Sequence, residues 1–135
     1  MGSFWDGVSA EEIHALYMCC TPTPNNVIRS LFFKPLNQQE KKIARWLVRS
    51  VKSQDHKSLG RFIRFCTGSD LVYPGKFVKV QIATEPMSDL AIRPQAQACF
   101  NIITLSKNYR SYAHFLNNID FYMHNPQMWE FHDQQ

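Results

Sequence analysis

Apolar residues recur at helical spacing through the first half of this 135-residue chain and then change to near alternation. Ser9-Ala10-Glu11-Glu12 has the form of a capping box, in which a serine and a glutamate three residues on satisfy each other's backbone amides. Ile13, Leu16 and Tyr17 follow at helical spacing. Thr21-Pro22-Thr23-Pro24 ends that helix, because proline pushes the preceding residue out of helical backbone. Val27 to Phe33 is a short apolar piece, read as one or two helical turns and stopped by Pro35. Asn37 caps the next helix, with Ile43, Trp46, Leu47 and Val51 as its apolar stripe. Lys41, Arg45, Arg49 and Lys52 occupy another face of it. A third helix is predicted from Ser53, carrying Leu59, Phe62, Ile63 and Cys66. Gly60 weakens it, and Gly68 suits a left-handed cap at its end.

Beyond the Pro74-Gly75 turn the period shortens. Phe77, Val78, Val80 and Ile82 mix with Lys79 and Gln81 as in a strand. Residues 84–97 hold two prolines and little pattern, which predicts a loop with a short strand near Leu90 to Ile92. Phe100 to Leu105 is rich in branched residues and predicts a second strand. A last helix spans about Ser111 to His124, with Tyr112, Leu116, Ile119 and Met123 inward and Pro126 closing it. The predicted class is α+β: N-terminal helices, then a small sheet, then a C-terminal helix. No internal repeat or low-complexity segment interrupts it.

Composition supports a packed domain, since 44% of residues are hydrophobic and 13% aromatic. The formal net charge of +4 is too mild to imply a nucleic-acid partner by itself. The cations of the Lys41 to Lys52 stripe read first as a solvated face and second as a surface for RNA or an acidic partner, with nucleic acid the less favoured. No run of about 18 apolar residues is present, so no membrane span is expected. The N-terminal residues do not read as a secretory signal. Cys19, Cys20, Cys66 and Cys99 form no regular framework, which predicts free thiols in a reducing compartment, cytoplasmic or nuclear.

Cys99 is the candidate nucleophile. A proline-marked loop beginning at Pro94 delivers it to the mouth of the apolar run Phe100 to Leu105. A cysteine at the entry to a strand can expose its sulfur while the strand holds its backbone. A thiolate is strongly nucleophilic even when only slightly populated, so a tight base is not obligatory. A Cys-His pair would require His14, His56, His114, His124 or His132 to fold against it, and no local motif supports one. On residue types alone, a buried structural cysteine is the commoner case. Cys19 and Cys20 are adjacent and the histidines scattered, so no metal site is expected. The five glycines form no phosphate-binding loop, and no cofactor is expected. Glu11 and Glu12 read as first-turn helix residues rather than as an acid-base pair.

Pro94-Gln95-Ala96-Gln97-Ala98-Cys99-Phe100-Asn101 resembles the active-site loop of HECT-type ubiquitin ligases, Pro-x-Ala-x-Thr-Cys-x-Asn. Pro94, Ala96, Cys99 and Asn101 match, and Ala98 replaces the threonine. Ile63 to Ser69 resembles the family's phenylalanine-x-threonine-glycine-serine stretch, at a similar distance from the cysteine. Phe77 falls where the family has a phenylalanine after the following turn. Leu105 with Tyr109 resembles its leucine-proline-x-tyrosine continuation, without the proline. Trp129 or Phe131 resembles the aromatic near the family's C-terminus. Arg93 stands in place of an apolar residue before the proline, and Leu71 in place of a basic one.

The resemblance implies a C-terminal catalytic lobe over residues 37–135, from a divergent branch of the family, with residues 1–36 a helical extension resembling the end of the larger N-terminal lobe. It implies that Cys99 accepts ubiquitin as a thioester from a conjugating enzyme and passes it to a lysine of a protein substrate. Pro94, Ala98, Phe100 and Asn101 would support that loop, with Asn101 and the neighbouring backbone orienting the carbonyl, and Trp129 or Phe131 would anchor the tail. The conjugating enzyme would bind through the large lobe, which these residues are too few to build. The chain is therefore expected to be a fragment of a longer ligase or a relic of one. The departures at Ala98 and Arg93 also permit a weakened or inactive lobe that binds ubiquitin or another protein.

Overall fold

The computed structural model describes residues 9–83 and 92–129. The capping box expected at Ser9 forms, and the Asn37 cap proves to be a second one. In α1 (Ala10–Cys20) the Glu12 amide donates to Ser9 Oγ at 3.0 Å and the Ser9 amide to Glu12 Oε1 at 3.2 Å. In α3 (Gln38–Ser53) the Glu40 amide donates to Asn37 Oδ1 at 2.8 Å and the Asn37 amide to Glu40 Oε1 at 3.0 Å.

The apolar piece between them divides. α2 (Pro24–Ser30) opens with Thr23 as cap and proline at its first position, where a missing amide costs nothing. It is followed by β1 (Leu31–Phe33), which pairs in parallel with β2 (Val78–Ile82). Three residues are too few to show a strand period, so only the partner reveals β1. The helix predicted from Ser53 begins later. Ser53 is the last residue of α3 and its hydroxyl donates to the Ser50 carbonyl at 2.8 Å. Asp55 caps α4 (His56–Thr67) instead, accepting from the Ser58 amide at 2.8 Å. That hydrogen bond holds the exposed Asp55 carboxyl below its ordinary pKa.

β4 (Ile102–Leu105) lies between β2, with which it is parallel, and β3 (Gln95–Gln97), with which it is antiparallel. The strand order is β1-β2-β4-β3. Register places Phe33, Val80, Ile103 and Ala96 in one row across the sheet. Val78 pairs with Leu31 and Ile82 with Leu105 on the same face. This face packs into the core, where Val80, Ile103 and Leu105 are buried. The opposite face carries Phe32, Lys79, Ile102 and Gln97 and is partly open.

Leu47 of α3 and Leu59 and Ile63 of α4 are fully buried in that core, as is Phe115 of α5 (Tyr112–Met123). Burying each such side chain is worth roughly 1.5–3 kcal/mol. Along α5 the inward residues are Phe115, Ile119 and Met123, while Leu116 and Tyr112 are half-buried. Phe115 displaces the expected Leu116 because its ring meets Tyr109 edge-on at 5.1 Å and Trp46 at 6.2 Å. The class is α+β, as the pattern predicts, with one strand entering the sheet ahead of α3.

Candidate functional site

The turn that carries Cys99 is built by the two strands on either side of it. β3 and β4 run antiparallel, and residues Ala98–Phe100 form a 3-10 turn between them. Asn101 closes the turn at φ 55°, a left-handed conformation that asparagine tolerates better than most residues. Its amide donates to the Ala98 carbonyl at 3.2 Å, and its carbonyl accepts from the Lys79 amide of β2 at 2.8 Å. The turn is thereby fixed at both ends while Cys99 stays exposed. Sequence pattern extended the strand back to Phe100, but Phe100 is 73% exposed on the turn. β3 was hidden because an edge strand needs only one inward residue here, Ala96.

Cys99 lines a cleft of about 820 Å³ that opens on solvent. Its lining includes Arg64 and Phe65 of α4, Tyr122 of α5, and Met128 and Trp129. Arg93 to Ala96 with Ala98 and Cys99 line it as well. So does Gly68, which ends α4 at φ 83°. A Cβ on Gly68 would lie 3.9 Å from the Ala98 Cβ, so the helix end abuts the cysteine turn. Thr67 prepares this ending: its hydroxyl donates to the Ile63 carbonyl at 2.9 Å and accepts from the Ser69 amide at 3.1 Å. Buried Tyr109 holds the loop's start, donating its hydroxyl to the Ile92 carbonyl. Burial raises the Tyr109 pKa above its ordinary value. Trp129 packs edge-on against Phe65 at 5.1 Å and donates its indole N–H to the Tyr122 carbonyl.

Of the residues singled out from sequence, Pro94, Ala98, Cys99 and Trp129 share this cleft. Asn101 lines a neighbouring cavity of about 190 Å³ with Thr67, Tyr73 and Phe77. Phe131 lies outside the described residues. Phe65, part of the Ile63 to Ser69 stretch that carries the resemblance, also lines the cleft, and so does Tyr122, which the expected apolar stripe of α5 passed over. Lys41, Arg45, Arg49 and Lys52 are exposed on α3, with the Arg49 guanidinium 4.0 Å from the Tyr112 ring centre. Cys20 and Cys66 are buried, and burial pushes the Cys66 thiol up from its ordinary pKa.

Among the described residues lining the cleft, Cys99 carries the thiol, and neither histidine nor carboxylate accompanies it. The described residues hold no group of three or more metal-ligating side chains. No helix among them is long and apolar enough to cross a membrane. The arrangement offers an accessible thiol on a braced turn, with an open trough beside it.

Comparison with curated proteins returns no match. A family model described as HECT-domain (ubiquitin-transferase) matches residues 10–132, nearly the whole chain. That span contains the Cys99 turn, the Thr67-Gly68 helix end that abuts it, and the four-stranded sheet carrying both. The chain belongs to the HECT-domain family of ubiquitin transferases.

Proposed function

We propose that residues 37–135 act as the catalytic lobe of a HECT-type ubiquitin ligase and that Cys99 is its ubiquitin-accepting nucleophile. The observation that carries this reading is the exposed Cys99 on a turn braced by Gly68 and β2, in a chain of this family. The Cys99 thiolate attacks the thioester carbonyl on a charged conjugating enzyme. A new C–S bond forms, and the conjugating enzyme's cysteine leaves as thiolate. A substrate lysine amine then attacks the Cys99 thioester, a C–N bond forms, and the Cys99 sulfur leaves as thiolate while the amine loses its proton. The first step exchanges one thiol for another, so it is nearly balanced in energy and needs no strong base. This fits a cleft with no histidine among its described lining residues. Backbone amides of the 98–100 turn are the groups nearest to hand for polarising the carbonyl.

Residues 1–36 are assigned in this reading to the end of a larger lobe that recruits the conjugating enzyme, in the cytoplasm or nucleus. The test is incubation of the chain, at high concentration, with ubiquitin-charged conjugating enzyme. A reductant-labile ubiquitin adduct is expected, and it disappears in Cys99→Ala. An adduct that survives this substitution overturns the assignment. A second reading, a ubiquitin-binding module without turnover, draws on Ala98, which places a methyl where the resembling loops carry a hydroxyl. Ubiquitin binding with no adduct would select it.

A further inference from the structure

The hairpin that carries Cys99 has two unequal arms. β4 is an inner strand, paired on both sides, and its Ile103 and Leu105 are fully buried. β3 is a three-residue edge strand with Gln95 and Gln97 exposed and Ala96 half-buried. Pro94, just before it, has no amide with which to lengthen the ladder. The arm that leads into the Cys99 turn is therefore the weaker one, and a further tie has most effect at its entrance.

That tie comes from beyond the other arm. Tyr109 follows β4 by four residues, and its hydroxyl donates to the carbonyl of Ile92, three residues before β3. Ser106, the first residue after β4, turns its amide to the same oxygen. One hydroxyl thus joins the entrance of the hairpin to its exit, and residues 92–109 form a loop closed at its base. The ring that carries this hydroxyl is clamped. Tyr109 is buried, edge-on to Phe115 at 5.1 Å and to His114 at 5.7 Å. A hydrogen bond held in such a setting is directional, where apolar packing alone is not. At the other end of the hairpin, Ala98 rests against Gly68.

We propose that Tyr109 is a positioning residue for ubiquitin transfer: by closing the base of the hairpin it fixes the β3 arm, and so holds the Cys99 turn in the orientation that a protein thioester must meet. Tyr109 touches neither the sulfur nor the acyl group, and acts through Ile92 and β3. Displacing a reacting group by about 1 Å costs on the order of a hundredfold in rate, so a small swing of this arm is enough to matter. The reaction served rests on the transferase reading; the bracing of the turn rests on the fold alone.

Tyr109→Phe, made in the intact chain, tests both parts. The ring and its contacts with Phe115 and His114 are kept, and only the hydroxyl is removed. The first measurement needs no ubiquitin. Hydrogen exchange of the amides in residues 95–101 is expected to quicken by about fivefold or more, beyond any change in β2, because one tie of that arm is gone. The second is transfer from charged conjugating enzyme, titrated at fixed chain concentration. The maximal rate of adduct formation at Cys99 is expected to fall about tenfold or more with the half-saturating concentration unchanged. A small neutral alkylating agent should still modify Cys99 within about twofold of the starting rate, since it makes no demand on orientation. Ile119→Val serves as the control. It lowers stability through the buried face of α5 without touching the hairpin, and should leave the maximal rate as it was.

Unchanged exchange in residues 95–101, or an unchanged maximal rate, overturns the proposal. An equal loss of rate in Ile119→Val overturns it as well, because Tyr109 would then act through overall stability. Absence of any ubiquitin adduct on the unmodified chain is a separate result: it removes the transferase reading, and hydrogen exchange then decides whether Tyr109 braces the turn.

Discussion

Cys66 and Cys99 carry the same thiol on the two elements that meet at Gly68, and their surroundings differ in every respect that governs reactivity. Cys66 is 0% exposed in α4, part of the core, and desolvation disfavours its thiolate. Cys99 stands three residues before the start of β4 on a 3-10 turn, exposed, with its backbone tied to β2 through Asn101. One thiol is packing material and the other is available to a large partner. The difference comes from where the helix stops. α4 buries its residues up to Cys66, and the left-handed Gly68 then lets the chain leave at a place where Ala98 can rest against it.

The largest expected effect tests this contrast directly. Under native conditions Cys66 should react with a neutral alkylating agent only through opening of the core, about a thousandfold or more slower than Cys99 if opening costs about 5 kcal/mol. Comparable rates for the two, measured by peptide mapping, would break the comparison. Next in size is Ile103→Ala. It removes a fully buried side chain from the strand that follows the turn and should cost about 2–5 kcal/mol in denaturant unfolding. A loss below 1 kcal/mol would show that β4 is not the turn's rigid support.

Alkaline pH gives a smaller, graded effect. The folded state raises the thiol pKa of Cys66 and the phenol pKa of Tyr109, so above their ordinary values of 9.0 and 10.0 the unfolded chain releases protons that the folded chain keeps. Their contribution to stability is complete below about pH 9 and is lost as pH rises, by up to about 1.4 kcal/mol per pH unit for each group. Cys66→Ala removes the earlier part of that decline, and an unchanged profile would contradict burial of the thiol. The smallest expected changes sharpen the geometry at the meeting point. Gly68→Ala and Asn101→Ala each place an ordinary residue at positive φ and should cost about 1 kcal/mol, whereas Asn101→Gly should be nearly neutral. Cys99 alkylation should change in Gly68→Ala and stay constant in Ser9→Ala, which removes only the α1 cap.

The parts readable from the chain itself were those with local causes. Ser9-x-x-Glu12 and Asn37-x-x-Glu40 state two helix starts because cap and partner are three residues apart. The α3 stripe and the Gly68 stop follow from side-chain spacing and from one residue's freedom at positive φ. β1 and β3 were not readable, since each has three residues and is a strand only through pairing with β2 or β4. Asp55 could not be preferred over Ser53 as a cap, because both residue types serve and the deciding hydrogen bond depends on where α3 ends. On the site, Cys99, Pro94 and Asn101 stood out through a motif. Phe65 lay within a second matched stretch, Ile63 to Ser69, but nothing marked it or Tyr122 as lining the cleft, because lining a cleft leaves no mark on helical periodicity.

Taken alone, the sequence determined the class, the helix ends at Ser9, Thr21, Asn37, Gly68, Ser111 and His124, and the loop that presents Cys99, since these depend on contacts within a few residues. Tertiary structure decided which cysteine is exposed, that α4 ends against the Cys99 turn, and that Arg64 and Arg93 line one cleft. Those outcomes join residues about thirty positions apart, and only the closing of the sheet and packing of the helices on it bring such residues within reach of each other.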